Sequence, residues 1–294
     1  MKIIPDCIPC TFKVCLSALK AANISEARIY DALSSLAGYI QALDVKLTPG
    51  EYHSGALHFI SKHIGVDDPF RNAKYESNKL ALSCMEHVSN LVRSADDPLY
   101  MAFKVSAAGN IIDMGILPDF NLDAAIDEIP RNRFYIDCYE EFRKLALSTG
   151  SVMIVGDNSG EIAFDILLVR ELQKLGIDVV YSVKSGPVLN DATMEDAVQV
   201  GMTGVCRVVA NGNNLLGTDF TACSEEFLSE FGKAGAIILK GQANYESLEG
   251  TAEAGDKSFF VLKIKCESLA KYAGAPFGSI LFKRNKVNCR NGIK

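Results

Sequence analysis

The chain has 294 residues, 48% of them apolar and 22% charged, which excludes intrinsic disorder and fits one large domain or two ordinary ones. A formal charge of −6 at pH 7 argues against a nucleic-acid partner, because phosphate-backbone binding needs a basic stripe. Nine scattered cysteines do not form a disulfide framework, and neither a signal-peptide core nor a membrane-length apolar run occurs, so a cytoplasmic protein without a membrane partner is expected.

The first helical signal follows Cys7-Ile-Pro-Cys10, with apolar residues at Phe12, Cys15, Leu16 and Leu19. The same three- and four-residue spacing runs through Ile29, Leu33, Leu36, Ile40 and Leu43, then Leu57, Ile60 and Ile64, then Leu80, Cys84, Val88, Leu91 and Val92. This predicts amphipathic helices, separated by breakers at Thr48-Pro-Gly50, Asp67-Asp-Pro69 and Asp96-Asp-Pro98. Near residue 150 the texture changes. Ser151–Gly156 reads as a fully buried strand, followed by a helix over about Glu161–Leu175. Asp178–Val183 is a second strand, and a helix follows Thr193. Val205–Val209, Ala236–Leu239, Phe259–Ile264 and Ser279–Phe282 are further strand candidates. Apolar strands alternating with helices predict an α/β fold with a mostly parallel sheet covered on both faces. The expected organisation is a helical N-terminal region over residues 1–148, including the Gly109–Asp113 loop, packed on an α/β domain over 149–284, with a polar tail over 285–294.

In such sheets ligands bind beyond the carboxyl ends of the strands, so the strand tips are where chemistry is sought. The first tip reads Gly156-Asp157-Asn158-Ser159-Gly160-Glu161. Asp157 and Asn158 offer oxygen ligands, and the N–H groups of the following helix would favour an anion; equally, the two residues could simply cap that helix. The second tip, Lys184-Ser-Gly-Pro187-Val-Leu-Asn190-Asp191-Ala-Thr193, adds Asp191, or is an ordinary turn followed by a capped helix. Adjacent strands lie about 4.8 Å apart, which brings Asp157 and Asp191 within reach of one ion. Asp157, Asn158 and Asp191 would make a hard oxygen site suited to magnesium or manganese. At a third tip, Lys240 ends a buried apolar run, where an ammonium meets an anion or snorkels to solvent. Asn244 behind it can cap the helix or donate to an oxyanion. The Gly109-Asn110-Ile-Ile-Asp113 loop either covers the crevice or is plain turn chemistry. Cys7 and Cys10 have no second Cys pair, and His53, His58 and His63 recur every five residues and share no helical face, so a Cys/His metal site is disfavoured. The pair is expected at a helix start, where the N-terminus favours thiolates.

Taken together, Gly109–Asp113, Gly156–Glu161 with Phe164-Asp165, Pro187–Thr193 with Asp196, and Lys240–Glu246 resemble the damage-control phosphatase family. Cys7-x-x-Cys10 and Lys263-Ile-Lys265-Cys266 resemble its compact prokaryotic branch. The resemblance covers all but about the last ten residues. It implies a helical region on a Rossmann-like α/β/α core and metal-dependent hydrolysis of phosphate monoesters. The implied metal ligands are Asp157, Asn158 and Asp191, with Asp157, Asp191 and Lys240 catalytic. Lys240 would hold the phosphate, and Asn110 and Asn244 would line the pocket. Magnesium or manganese is the implied cofactor, with cobalt or nickel as substitutes. The implied partner is a small phosphorylated metabolite: a sugar phosphate, a phosphopantetheine-type compound or a damaged phosphometabolite. The alternatives are a phospho-ligand or nucleotide-binding module without turnover and an S-adenosylmethionine-dependent carboxyl methyltransferase, for which no glycine-rich cofactor turn is present.

Overall fold

The computed structural model describes residues 1–109 and 121–286. Six helices come first: α1 Cys7–Ala21, α2 Glu26–Gln41, α3 Pro49–Ile64, α4 Arg71–Ser83, α5 Met85–Ser94 and α6 Pro98–Ala108. The breakers act as starts. Thr48 and Glu51 form a reciprocal capping box with Pro49 in the first turn of α3, and Gly65 ends that helix in the left-handed conformation. Asp97 caps α6 ahead of Pro98. After α7, Leu122–Asp127, the chain enters β1, Phe134–Asp137, and α8, Tyr139–Thr149.

The remaining strands are β2 Ser151–Val155, β3 Asp178–Val183, β4 Arg207–Ala210, β5 Ala236–Lys240, β6 Ser258–Lys263 and β7 Ile280–Arg284. Between them lie α9 Glu161–Lys174, α10 Met194–Val200, α11 Glu225–Lys233, α12 Gln242–Leu248 and α13 Glu267–Ala273. The seven strands form one sheet in the order β1-β7-β6-β5-β2-β3-β4, parallel except for the β6–β7 pair. The expected helical region on a Rossmann-like α/β core is what the chain forms.

Both sheet faces are buried. Val152 and Ile154 enter one core with α6 and α9, while Met153 and Val155 enter the other with Ile237 and Leu239. That two-sided burial is why β2 and β5 read as unbroken apolar runs. A third core joins α1, α2 and α3 and includes Val188 from the loop after β3, so the helical region rests directly on a strand-tip loop.

Two boundaries differ from expectation. Residues 134–137 lie in the stretch read as helical, yet pair with β7, so the sheet reaches back past residue 149. Only four residues long and paired on one side alone, β1 carries too little alternation to be seen in sequence. Asn285 is no tail residue: it is buried, and its amide donates to the carbonyls of Thr251 and Gly255.

Candidate functional site

The chain builds β2, β3 and β4 outward in one direction and then returns to place β5 on the other side of β2. The crevice between the tips of β2 and β5 is the topological switch point of the sheet. Asp157 leaves β2 there, and Lys240 closes β5. Gly241 follows with φ +82°, and a Cβ on it would lie 2.1 Å from Asp157 Oδ2. Only glycine therefore lets the β5 turn and the Asp157 carboxylate share this space.

The tips of β2 and β3 are joined by backbone. Ala192 N–H donates to Asp157 O at 2.8 Å, Ser159 N–H donates to Asn190 O at 2.8 Å, and Asn158 and Asp191 form an antiparallel bridge. Asp157, Asn158 and Asp191 are thus brought together as expected. Asn158 Nδ2 donates to Asp157 Oδ2 at 3.1 Å and to Glu161 Oε1 at 3.0 Å, which leaves Oδ1 as its donor toward a cation. Burial, with Glu161 and Asp191 nearby, holds the Asp157 carboxyl well above the usual carboxylate range. Asp191 is also raised, chiefly by burial, although Lys184 lies 3.7 Å away and opposes the shift. Two carboxylates crowded beside a carboxamide oxygen form a hard donor set that fits a magnesium- or manganese-type ion. Among the described residues no three His, Cys, Asp or Glu side chains cluster as a metal site, so the set is two carboxylates and one amide.

Lys240 meets an anion, but an internal one. It is 1% exposed, and Nζ lies 2.8 Å from Asp165 Oδ1, 3.3 Å from Glu161 Oε2 and 3.2 Å from Ser106 O. Burial alone would lower its ammonium, yet Asp165 and Glu161 hold it above the usual lysine value. Asp165 also accepts from Ser106 Oγ and from the Tyr181 hydroxyl. Lys240 therefore enters the site through a small recess shared with Asp157, Glu161 and Lys265 and does not project into open space. Asn244 is placed differently from the expected pocket lining. It is buried, donates to Lys240 O at 2.7 Å and accepts from Thr218 Oγ1 at 2.8 Å, so its amide locks the β5 turn. The N–H of Gly160 at the head of α9, expected to face an anion, donates instead to Asn78 Oδ1. Asn110 and Asp113 lie outside the described residues.

In front of the strand tips opens a cleft of about 640 Å³, lined by Asp157, Asp191 and Lys265 on the sheet side and by α1 and α3 residues on the other. Cys7 and Cys10 sit at the start of α1 as expected and line this cleft with Cys266. Burial pushes both thiols up, overriding the helix N-terminus that was expected to favour their thiolates. The histidines go separate ways: His53 to Thr11, His58 to Asn214 O and His63 to Asp31. Burial lowers His53 to about 4, so the ring facing the cleft is neutral. Glu246, also in the cleft, is raised to about 7 by burial.

Lys265 stands in the sequence motif without a role of its own. In the fold its charge acts on both Asp157 and Asp191, and it borders the cleft and the recess. The signal was available, since Lys265 follows the tip of β6, the strand next to β5. Glu246 was findable too: it lies one helical turn after Gln242, whose Nε2 it accepts at 2.7 Å.

A doubly wound sheet that gathers hard oxygen donors and lysines at its switch point makes this an α/β protein of the open-sheet class. The model of the damage-control phosphatase ARMT1-like domain matches residues 3–281, and the chain belongs to this family. It is 28% identical over 291 residues to a damage-control phosphatase of Pyrococcus horikoshii, covering 97% of this chain and 99% of that one. It is 32% identical over 295 residues to an uncharacterized protein of Methanocaldococcus jannaschii, covering 97% and 96%. A shorter match, 29% over 151 residues, spans 45% of this chain and 18% of the 4′-phosphopantetheine phosphatase of Mus musculus. The crystal structure of a DUF89 family protein from P. horikoshii superposes with a TM-score of 0.88 at 27% identity, covering 97% of this chain and all of that one.

Proposed function

We propose that this chain is a divalent-metal-dependent phosphatase hydrolysing a phosphate monoester of a small metabolite. The observation that carries the reading is the meeting of Asp157, Asn158 and Asp191 at the switch point, where backbone bonds join the β2 and β3 turns and both carboxylates line the cleft. Asp157, Asn158 Oδ1 and Asp191 would hold magnesium or manganese, which when bound supplies charge neutralisation at the phosphate and orients the nucleophile. Lys265 at the mouth and Lys240 at the recess set positive charge against the remaining phosphate oxygens. Glu161 holds Asn158 through its amide N–H and so fixes which oxygen the side chain presents.

The organic part of the substrate would occupy the cleft between the sheet and α1 and α3, where Ile4, Val14, Leu189 and Leu216 offer an apolar wall. That wall, together with the likeness to a 4′-phosphopantetheine phosphatase, favours phosphopantetheine-type esters over compact sugar phosphates. The test is turnover of a phosphate-ester panel containing both classes, with magnesium, manganese, cobalt and nickel each supplied to metal-free protein. Metal-dependent release of phosphate supports the reading. Tight binding of the esters, indifferent to chelator and without turnover, would replace it with a phospho-ligand-binding module.

A further inference from the structure

The buried face of α4 is polar: Lys74, Ser77 and Asn78 point inward beside Ala81. Asn78 is fully buried, and its side chain bonds to the head of α9 and to α10, the two helices that follow the turns carrying the candidate metal ligands. Its Oδ1 accepts the Gly160 N–H at 2.7 Å, two residues beyond Asn158. Its Nδ2 donates to Asp196 Oδ1 and to Gln199 Oε1, both at 2.8 Å. Asp196 in turn uses Oδ2 to accept from the N–H and hydroxyl of Thr193, two residues beyond Asp191.

Each turn leaves one group for this amide. Gly160, the N-cap of α9, has φ +75° and no side chain; local carbonyls accept the Ile162 and Ala163 N–H groups, and the Gly160 N–H turns to α4. The capping box of α10 occupies one oxygen of Asp196 and presents the other to α4. A short buried side chain that accepts on one side and donates on the other is needed, and the Asn carboxamide meets that requirement. Aspartate would keep the Gly160 bond and lose the donors, while an aliphatic residue would strand the Gly160 N–H.

We infer that Asn78 is a positioning residue that spans the β2 and β3 turns and sets the separation of Asp157 and Asn158 from Asp191. This rests on reading those three residues as metal ligands. Supporting shells of this kind change metal affinity by about 10- to 100-fold when removed.

The experiment is calorimetric titration of manganese into the metal-free full-length protein, comparing wild type, Asn78→Ala, Asn78→Asp and the exchange Asn78→Asp/Asp196→Asn. Metal-free thermal melts report folding, and KM for p-nitrophenyl phosphate is read at saturating manganese. The expected result is a loss of about tenfold or more in manganese affinity for both single variants, with KM changed by less than about twofold. The exchange keeps the bond between positions 78 and 196 with donor and acceptor reversed, but it leaves Gln199 Oε1 facing a carboxylate and takes the Asp196 carboxylate from Lys74, so it should recover part of the affinity that Asn78→Asp loses. Asn78→Asp is isosteric and keeps the Gly160 bond, so it answers the question if Asn78→Ala fails to fold. A folded Asn78→Asp that binds manganese like wild type overturns the inference while leaving the ligand set intact. A wild type that binds no manganese, with Asp157→Ala indistinguishable from it, overturns the ligand set and this inference together.

Discussion

Replacing Lys240 by methionine separates two roles that the same atom could play. Methionine keeps most of the length and removes the charge, so no large cavity contributes to the result. What it leaves behind is Asp165, fully buried, and Glu161, 3% exposed, facing the space where Nζ lay 2.8 and 3.3 Å away. Breaking a buried pair from one side costs about 3–5 kcal/mol. The Ser106 and Tyr181 hydroxyls still donate to Asp165, which places the expected loss at the low end, about 3 kcal/mol. At about 2.1 cal/mol/K of unfolding entropy per residue, 294 residues turn that loss into a drop of roughly 5 °C in Tm. The assay is thermal and urea unfolding of metal-free protein for Lys240→Met, Asp165→Asn and the double variant. The double variant should recover a substantial part of the loss, because the two groups are in contact. A Lys240→Met protein that melts like wild type but has lost turnover would show that Nζ serves the phosphate alone, and the internal ion pair would carry no stability.

Three further expectations can be checked with the same material. Gly241→Ala should abolish manganese binding with the Asp157 carboxylate still present, because the new Cβ lies 2.1 Å from Oδ2 and a side chain at φ +82°, ψ +164° adds roughly 1–3 kcal/mol of strain; unchanged affinity would refute the close approach. Asp157→Ala should raise the Tm of metal-free protein, by relieving burial of a charge beside Glu161 and Asp191, and should lose the stabilisation of about 2.7 kcal/mol that wild type gains at 100 times the metal Kd; a variant that still gains it would displace the site. Glu246 titrates near 7 in the fold against an ordinary 4.5, so the folded state binds the extra proton between those values and stability falls as pH rises through that window, by about 3 kcal/mol in full. Glu246→Gln should flatten the urea-midpoint profile between pH 5 and 8, and parallel profiles for the two proteins would contradict the burial argument.

What was legible in the sequence is what depends on local pattern. Asp157 and Asp191 could be placed together because β2 and β3 are unbroken apolar runs and the rule about strand tips needs only the strands. The helix after Thr193 and the break at Asp96-Asp-Pro98 are likewise local. The features that escaped are those whose partners are distant in the chain. β1 exists because β7 pairs with it from more than a hundred residues away, and no four-residue segment announces that. Asn78 sits in a helix whose inward face is polar, so hydrophobic periodicity points away from it.

Lys240 shows how far a local argument reaches. An ammonium at the end of a buried strand must meet an anion, and that physics holds. The sequence cannot say where the anion comes from, since Ser106 and Asp165 arrive from residues 134 and 75 positions away. Because the fold supplies Asp165 and Glu161, the lysine is neutralised before any ligand enters, and its charge is shared between core and site. An incoming phosphate would then compete with Asp165 and Glu161 for Nζ. Under the proposed function, the carboxylates that hold Lys240 in the core would also set how much of its charge reaches a phosphate.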